Sequence, residues 1–312
     1  MKYLIILTTL FISISAQAIK PVDGFYWDPT SSGRGLTIEV QKNTLVVAFY
    51  AYDDSNIGRW YLGSGPYDSN ASVFNGHWDA YDGGQCAGCA YTSPTINTGE
   101  SKGAFTINFL SWQKARMTWA GGTTNLERFN FSYPSPNSYI QGTWVTTEFI
   151  DTLAIGEKTI FMGETFINDG TEFVQGSLFG SLSRPAVGSL IEVDPADGEN
   201  IYGILLDSSS SFYRYYVYKA NKNKFAGLSY LYLKTEQPGS GLPVIGSKIG
   251  EYQPTTKNSK SVPENERPLQ DEIDAHEYAL QKEHSTSKGG VEITQIQLDT
   301  LMKLQNQIET QK

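Results

Sequence analysis

Histidine, cysteine and long apolar runs are scarce in this sequence, and each shortage removes a class of function. The histidines are His77, His276 and His284, and no Gly-x-Ser-x-Gly turn lies near His77, so a Ser-His-acid hydrolase has nothing to be built from. Carboxylate pairs such as Glu39 with Glu127 or Asp53 with Asp54 have no spacing that singles them out as acid and base. Glycine-rich phosphate loops are absent. After the N-terminal segment no stretch approaches the roughly 20 apolar residues of a membrane-crossing helix, so the mature chain is expected to have no transmembrane segment. Cationic charge is also short: 24 Lys and Arg against 33 Asp and Glu give a net charge of −9, which disfavours attraction to nucleic-acid phosphates or anionic lipid. The sequence weighs against an enzyme, and implies no cofactor and no nucleic-acid partner.

The two cysteines fall in Cys86-Ala87-Gly88-Cys89, inside a loop-like stretch with no βαβ pattern around it. That context does not suit thiol–disulfide exchange. In an oxidising compartment a short-loop disulfide between Cys86 and Cys89 is the expectation. A metal site here would have to combine His77, Cys86 and Cys89 with Asp79 or Asp82, short of the four N or S ligands that structural zinc takes. Asp54-Ser55-Asn56-Ile57-Gly58 lacks the distal Glu of a calcium loop and reads as a hairpin turn. No metal site is expected.

What is present begins with an export signal. Lys2 precedes an apolar run from Tyr3 to Ile14, and Ala16 and Ala18 supply the small residues of a signal-peptidase site. Residues 1–18 are therefore read as a signal peptide, and the absence of a nearby cysteine argues against a lipid anchor. The chain is expected in the periplasm or outside the cell. With 13% aromatic residues, 19 Tyr and 30 Gly, the composition favours strands and turns over helices.

Composition divides the remainder into a first β-domain (19–133), a second β-domain (139–252), a linker (253–268) and a helical tail (269–312). Between the β-domains, Tyr133-Pro134-Ser135-Pro136-Asn137 reads as a connector, because two prolines oppose helix and ladder pairing. In the first domain Leu36, Ile38 and Val40 alternate with polar residues, Gln41-Lys42-Asn43 turns, and Leu45 to Tyr52 returns. That returning strand is apolar on both faces, which predicts cover on both sides or a pocket. Arg59 to Leu62, Phe105–Leu110, Ala115–Thr118 and Asn125–Phe131 add further strands.

The second domain opens in a similar order and suggests an internal duplication, with Trp144 set against Trp27. Leu153–Ile155, a Gly156-Glu157-Lys158 turn, Thr159–Phe166, an Asn168-Asp169-Gly170 turn and Phe173–Phe179 follow, and strands continue to Leu233. A strand every 8–12 residues or so with no helical pattern between predicts an all-β architecture of two consecutive antiparallel barrels or sandwiches. Pro268 to His284 and Val291 to Gln311 read as short helices, the second with Ile293, Ile296, Leu301, Leu304 and Ile308 near one face. Coiled-coil pairing, a protein partner or the β-domains could cover that face.

Gly24-Phe25-Tyr26-Trp27-Asp28-Pro29, Ser32-Gly33-Arg34-Gly35-Leu36-Thr37-Ile38-Glu39, Tyr50-Ala51-Tyr52-Asp53, Arg59-Trp60-Tyr61, and Met117-Thr118-Trp119-Ala120-Gly121-Gly122 with Leu126-Glu127-Arg128-Phe129 together resemble a group of uncharacterised secreted proteobacterial β-domains. That group has a Trp-rich "WWNP…SGRGF.IE" opening, a "WY" strand and a "TWPGG" hairpin. The resemblance covers about the first 110 residues after the signal, and departs at Asp28, where Asn is usual, and at Ala120, where Pro is usual. It implies an exported β-domain of a Gram-negative bacterium and names no activity.

Function is therefore read from the aromatic and arginine constellation. Arg34, Tyr50, Tyr52, Arg59, Trp60 and Tyr61 are the candidate ligand-binding residues, since aromatic faces stack on sugars or hold apolar groups and Arg pairs with carboxylates. The expectation is a non-enzymatic binding module for a small apolar or sugar-like ligand. The alternative is a periplasmic or surface scaffold that recruits a protein partner through residues 269–312.

Overall fold

The computed structural model describes residues 20–133, 135–178, 184–220, 223–252, 267–288 and 291–310. The expected signal peptide, Pro134, Phe179 and linker residues 253–266 lie outside the described residues. The chain forms two compact units, one ending at Phe129 and the other beginning at Asn130.

In the first unit, strands β1 (Gly24–Trp27), β2 (Gly35–Gln41), β3 (Thr44–Tyr52), β4 (Gly58–Asp68) and β5 (Val73–Asp82) follow one another as a meander. The short β6 (Thr95–Asn97) lies on the edge of β5, and β7 (Gly103–Phe109), β8 (Lys114–Trp119) and β9 (Gly122–Arg128) complete the turn. Because β9 pairs with β1 and β4 with β5, eight of these strands close into an antiparallel ring. Alternation sends Leu36, Ile38, Val40, Leu45, Val47, Phe49, Phe74, Trp78, Ile107 and Met117 into one core. The other face of β3 is open: Val46 and Tyr50 stand in solvent, and only Tyr52 at the strand end meets a cleft. Of the two expectations for this strand, cover on both faces is not met, whereas its end lines a cleft through Phe49, Ala51 and Tyr52. Asn75, His77, Asn125 and Glu127 face outward from β5 and β9.

The second unit is a closed antiparallel barrel of β10 (Gly142–Ile150), β11 (Leu153–Asn168), β12 (Thr171–Leu178), β13 (Pro185–Val193), β14 (Asn200–Asp207), β15 (Phe212–Ala220), β16 (Lys224–Leu233) and β17 (Leu242–Gly250). Helices α1 (Arg267–Lys288) and α2 (Gln295–Thr310) follow. The Pro-containing connector departs from expectation: Pro136–Ile140 form a 3-10 helix with proline in its first turn, and Tyr139 and Ile140 are buried in the barrel core. Proline is suited to that position, where its missing N–H has no partner to lose.

Both rings are up-and-down meanders, and their openings correspond more closely than the sequence indicates. Each starts at a positive-φ glycine, Gly24 (138°) and Gly142 (125°). Two residues later an inward ring donates to the carbonyl four residues before it: Tyr26 Oη to Val22 O (2.7 Å) and Trp144 Nε1 to Ile140 O (2.8 Å). Trp144 thus matches Tyr26, not Trp27, which points the other way and meets Phe129 edge-on at 5.2 Å.

The expected Gly156-Glu157-Lys158 turn is a second correction. All three residues lie inside the continuous strand β11, and the chain reverses earlier, at Asp151 (φ 54°). Gly156 is glycine for a tertiary reason: a Cβ there would sit 2.4 Å from Glu277 Oε1 of α1. The apolar face of α2 is also spent on the barrel, with Leu301, Leu304 and Ile308 buried against Val187, Leu205 and Tyr215. Pairing between the helices is not what covers that face.

Candidate functional site

Closing an eight-stranded meander places alternate connections at one mouth. In the first unit these are residues 28–34, 53–57, 83–102 and 120–121, so segments far apart in sequence converge there. The mouth contains a cleft of about 280 Å³ lined by Ser31, Ser32, Gly33, Arg34, Phe49, Ala51, Tyr52, Tyr61, Lys102 and Trp119.

The connection carrying Arg34 is fixed before any ligand arrives. Asp28, which is buried, accepts from Thr30 N (2.9 Å) and Thr30 Oγ1 (2.7 Å), and its other oxygen accepts from Thr124 Oγ1 on β9. Ser31 N closes the turn on Asp28 O at 3.1 Å. The Thr124 and Thr30 hydrogen bonds hold the Asp28 carboxyl below its ordinary value, burial opposes them, and Arg34 adds to the lowering. A depressed carboxyl stabilises the fold above its unfolded pKa, near 4, and that contribution is lost as pH falls through the lower folded value. Thr124→Val is expected to raise the Asp28 pKa toward its ordinary value, which carboxyl-carbon NMR titration would detect; an unmoved titration would show that Thr124 does not hold Asp28 down.

Arg34 sits over the Trp119 ring at 5.5 Å and makes no ion pair or side-chain hydrogen bond among the described residues. Its Nε is buried without an acceptor. Lys102 lines the same cleft, and its ammonium has no carboxylate partner among the described residues. Tyr61, 1% exposed, carries a buried hydroxyl with no hydrogen-bond partner among the described residues. Below them Phe49 meets Tyr61 at 6.1 Å and Trp119 at 6.3 Å. The cleft therefore offers cations and a hydroxyl above an aromatic floor.

Of the residues singled out from sequence, Arg34, Tyr52 and Tyr61 come together in this cleft. Tyr50, Arg59 and Trp60 do not. Trp60 faces outward beside Tyr50 and stacks on Tyr81 with centroids 5.7 Å apart and planes 13° apart. Arg59 is committed to structure, with Nε 3.0 Å from Asp53 Oδ2 and Nη1 3.4 Å from Asp82 Oδ1. Asp53 meanwhile caps its own turn through Ser55 N and Ile57 N, both at 2.9 Å. Sequence reasoning missed Lys102, an ordinary loop lysine until the ring closes, and left Trp119 out of the ligand set, whereas Trp119 both packs on the core and lines the cleft. Cys86 and Cys89 are disulfide-bonded in the 83–102 connection. Among the described residues no group of three or more His, Cys, Asp or Glu is arranged to hold a metal.

A second polar cluster lies inside the second barrel. Arg214 contacts Glu148 and Glu277 closely and Asp274 at 3.4 Å, and Lys158 Nζ lies 3.0 Å from Glu277. Tyr216 and Ser229 hydroxyls donate to Glu148 at 3.0 and 3.2 Å. Burial opposes the charge on Arg214, but Glu148 and Glu277 outweigh it and raise its pKa; burial likewise pushes the Tyr216 phenol well up, with Glu148 adding to it. Asp274 and Glu277 come from α1, and Gln281 of α1 pairs with Leu231 N and O at 3.2 and 3.1 Å. All of these groups are buried, so the cluster locks α1 to the barrel and presents no surface to a substrate.

No protein-family model matches this chain. No curated protein matches it either. A solved structure from Bacteroides fragilis, titled "a putative outer membrane protein", aligns over 72% of this chain and 96% of that one at 9% identity, with a TM-score of 0.18. A likeness at that level carries no inference to this chain, and the cleft must be read from its own chemistry.

Proposed function

We propose that the chain is an exported, non-enzymatic binding module that takes a small ligand with an apolar or sugar-like body in the cleft of its first barrel. The carrying observation is an open concavity of about 280 Å³ floored by Phe49 and Tyr61 and walled by Trp119 and Tyr52. Its size falls just below the roughly 300–1,000 Å³ typical of small-molecule sites, and rings with a few polar groups are the usual lining. The lining contains no carboxylate and no imidazole, which favours binding over acid–base chemistry. The N-terminal segment and the likeness of Gly24–Glu39 to secreted proteobacterial domains support an envelope or extracellular location.

Ligand entry should alter the emission of Trp119. Titration with aryl compounds and monosaccharides is expected to change tryptophan fluorescence in the native chain and in Trp60→Phe, whose ring lies on the outer face, while Trp119→Phe loses most of the response. A response that survives Trp119→Phe and vanishes in Trp60→Phe would move the site to the outer face and reject the cleft.

A further inference from the structure

We propose that the ligand of this cleft carries a carboxylate, bound by Arg34 and Lys102 with the Tyr61 hydroxyl, and that its ring or apolar body rests on Phe49 and Trp119. The inference rests on the reading of the cleft as a ligand site and specifies what that site selects.

Charge placement carries the argument. The chain is acidic, with a net charge of −9, yet the cleft lining contains Arg34 and Lys102 and no acid. Other cations of the first unit are accounted for among the described residues. Arg59 pairs with Asp53 and Asp82, Lys114 with Glu127, Arg116 bonds Asn125, Arg128 bonds a backbone carbonyl, and Lys20 and Lys42 stand in solvent. Arg34 and Lys102 are half-buried and make no ion pair or side-chain hydrogen bond among the described residues; Asp28 acts on Arg34 without contacting it, its oxygens being held by Thr30 and Thr124. A partly desolvated cation without a contacting counter-charge costs stability. An anion entering the cleft removes that cost.

The remaining donors fit the same group. Arg34 Nε and the Tyr61 hydroxyl are buried donors with no acceptor, and each becomes satisfied only if an acceptor enters. A carboxylate has two oxygens and about four lone-pair sites, and it matches the planar guanidinium fork. The position of Arg34 over the Trp119 ring, 5.5 Å from the centroid, restrains the guanidinium in advance and reduces the entropy lost when the ligand binds. The rings beneath are too apolar to hold a small hydrated anion alone, so the anionic group is one end of a molecule whose other end is a ring or hydrocarbon.

Matched probes test this on the intact chain: phenylacetate against phenylacetamide, glucuronate against glucose, and phenyl phosphate as a different anion. At least one acid is expected to bind ten-fold or more tightly than its neutral partner, with affinity falling as salt rises. Hydrogen bonds to a charged group of this kind are worth about 10- to 100-fold. Arg34→Gln and Lys102→Gln should each remove most of that acid preference, read as the ratio of acid to neutral affinity within the same variant, with thermal unfolding confirming that both variants fold. Equal binding of acid and neutral partner, or an acid preference that survives both substitutions, overturns the carboxylate assignment while leaving the cleft as a binding site. Binding of phenyl phosphate alone also overturns it. If no probe of any kind binds at millimolar concentration, the cleft itself fails as a ligand site and both readings fall together.

Discussion

Arg214→Met should lower the stability of the second barrel by about 3–5 kcal/mol, the range seen when one member of a buried ion cluster is removed. Arg214 is 1% exposed and contacts Glu148, Asp274 and Glu277. Without it, three buried carboxylates face Lys158 alone, which reaches only Glu277. The cost comes less from the lost attraction than from the negative charge left in a site with little water. Because Asp274, Glu277 and Gln281 are the polar groups α1 inserts at the barrel, the helix should lose its hold before the strands do. Hydrogen exchange followed by mass spectrometry is expected to show peptides of 267–288 losing protection most, and denaturant unfolding should report the overall loss. Lys158→Met should cost less, since it leaves Glu277 still bound by Arg214. A fully protected α1 in Arg214→Met would show that the ion cluster does not hold the helix.

Trp78→Ala is the second large effect, expected to destabilise the first unit by about 3–5 kcal/mol, as for other buried aromatic truncations. The Trp78 ring lies 3.6 Å from that of Phe105 at an interplanar angle of 9°, and 5.3 Å from Phe49. The space around this stack is already set by glycine. A Cβ on Gly76 would fall 2.6 Å from Phe105 Cζ, and one on Gly63 2.9 Å from the same ring. Gly63 and Gly76 have no side chains with which to refill the space, so only movement of Phe49 and Phe105 could reduce the cavity, and the penalty is that of a large core truncation. Phe49 also floors the cleft, so ligand affinity should fall in the same variant. Denaturant unfolding with hydrogen exchange on both units provides the check. Loss of protection should be confined to the strands of the first, and a change below about 1 kcal/mol would contradict the packing argument.

Much of the fold was legible in the residues. Leu36-Thr37-Ile38-Glu39-Val40 alternates with the period of a half-buried strand, and Asn168-Asp169-Gly170 supplies the positive φ angles (49° and 76° at Asp169 and Gly170) that a tight reversal requires. The spacing of Leu301, Leu304 and Ile308 marks one helix face, and that face is buried. Strand β5 was harder to see. Phe74, Trp78 and Ala80 alternate with Asn75, His77 and Asp79, but Gly76 interrupts the inward row because the Phe105 ring occupies its side-chain space. Gly156 misled in the same manner, being a turn residue by type and a strand residue by contact.

The candidate site was legible only in part. Arg34, Tyr52 and Tyr61 share a mouth because an up-and-down ring gathers alternate connections at one end. The same alternation sends Trp60 to the outside while its neighbour Tyr61 goes in. Arg59 is removed from the ligand set by Asp53 and Asp82, the second of which lies 23 residues away. Lys102 enters the set from a connection whose sequence shows nothing unusual.

By itself, then, the sequence determined the all-β class, the hairpin turns, the pairing of two nearby cysteines and the amphipathic tail, because each is a property of short segments with a local period or spacing. Tertiary structure decided the closure of each ring, the face on which every aromatic residue stands, the locking of α1 by Arg214 and the meeting of Arg34 with Lys102. Those depend on contacts between residues tens of positions apart, and a period of two residues cannot say which distant partner completes a site.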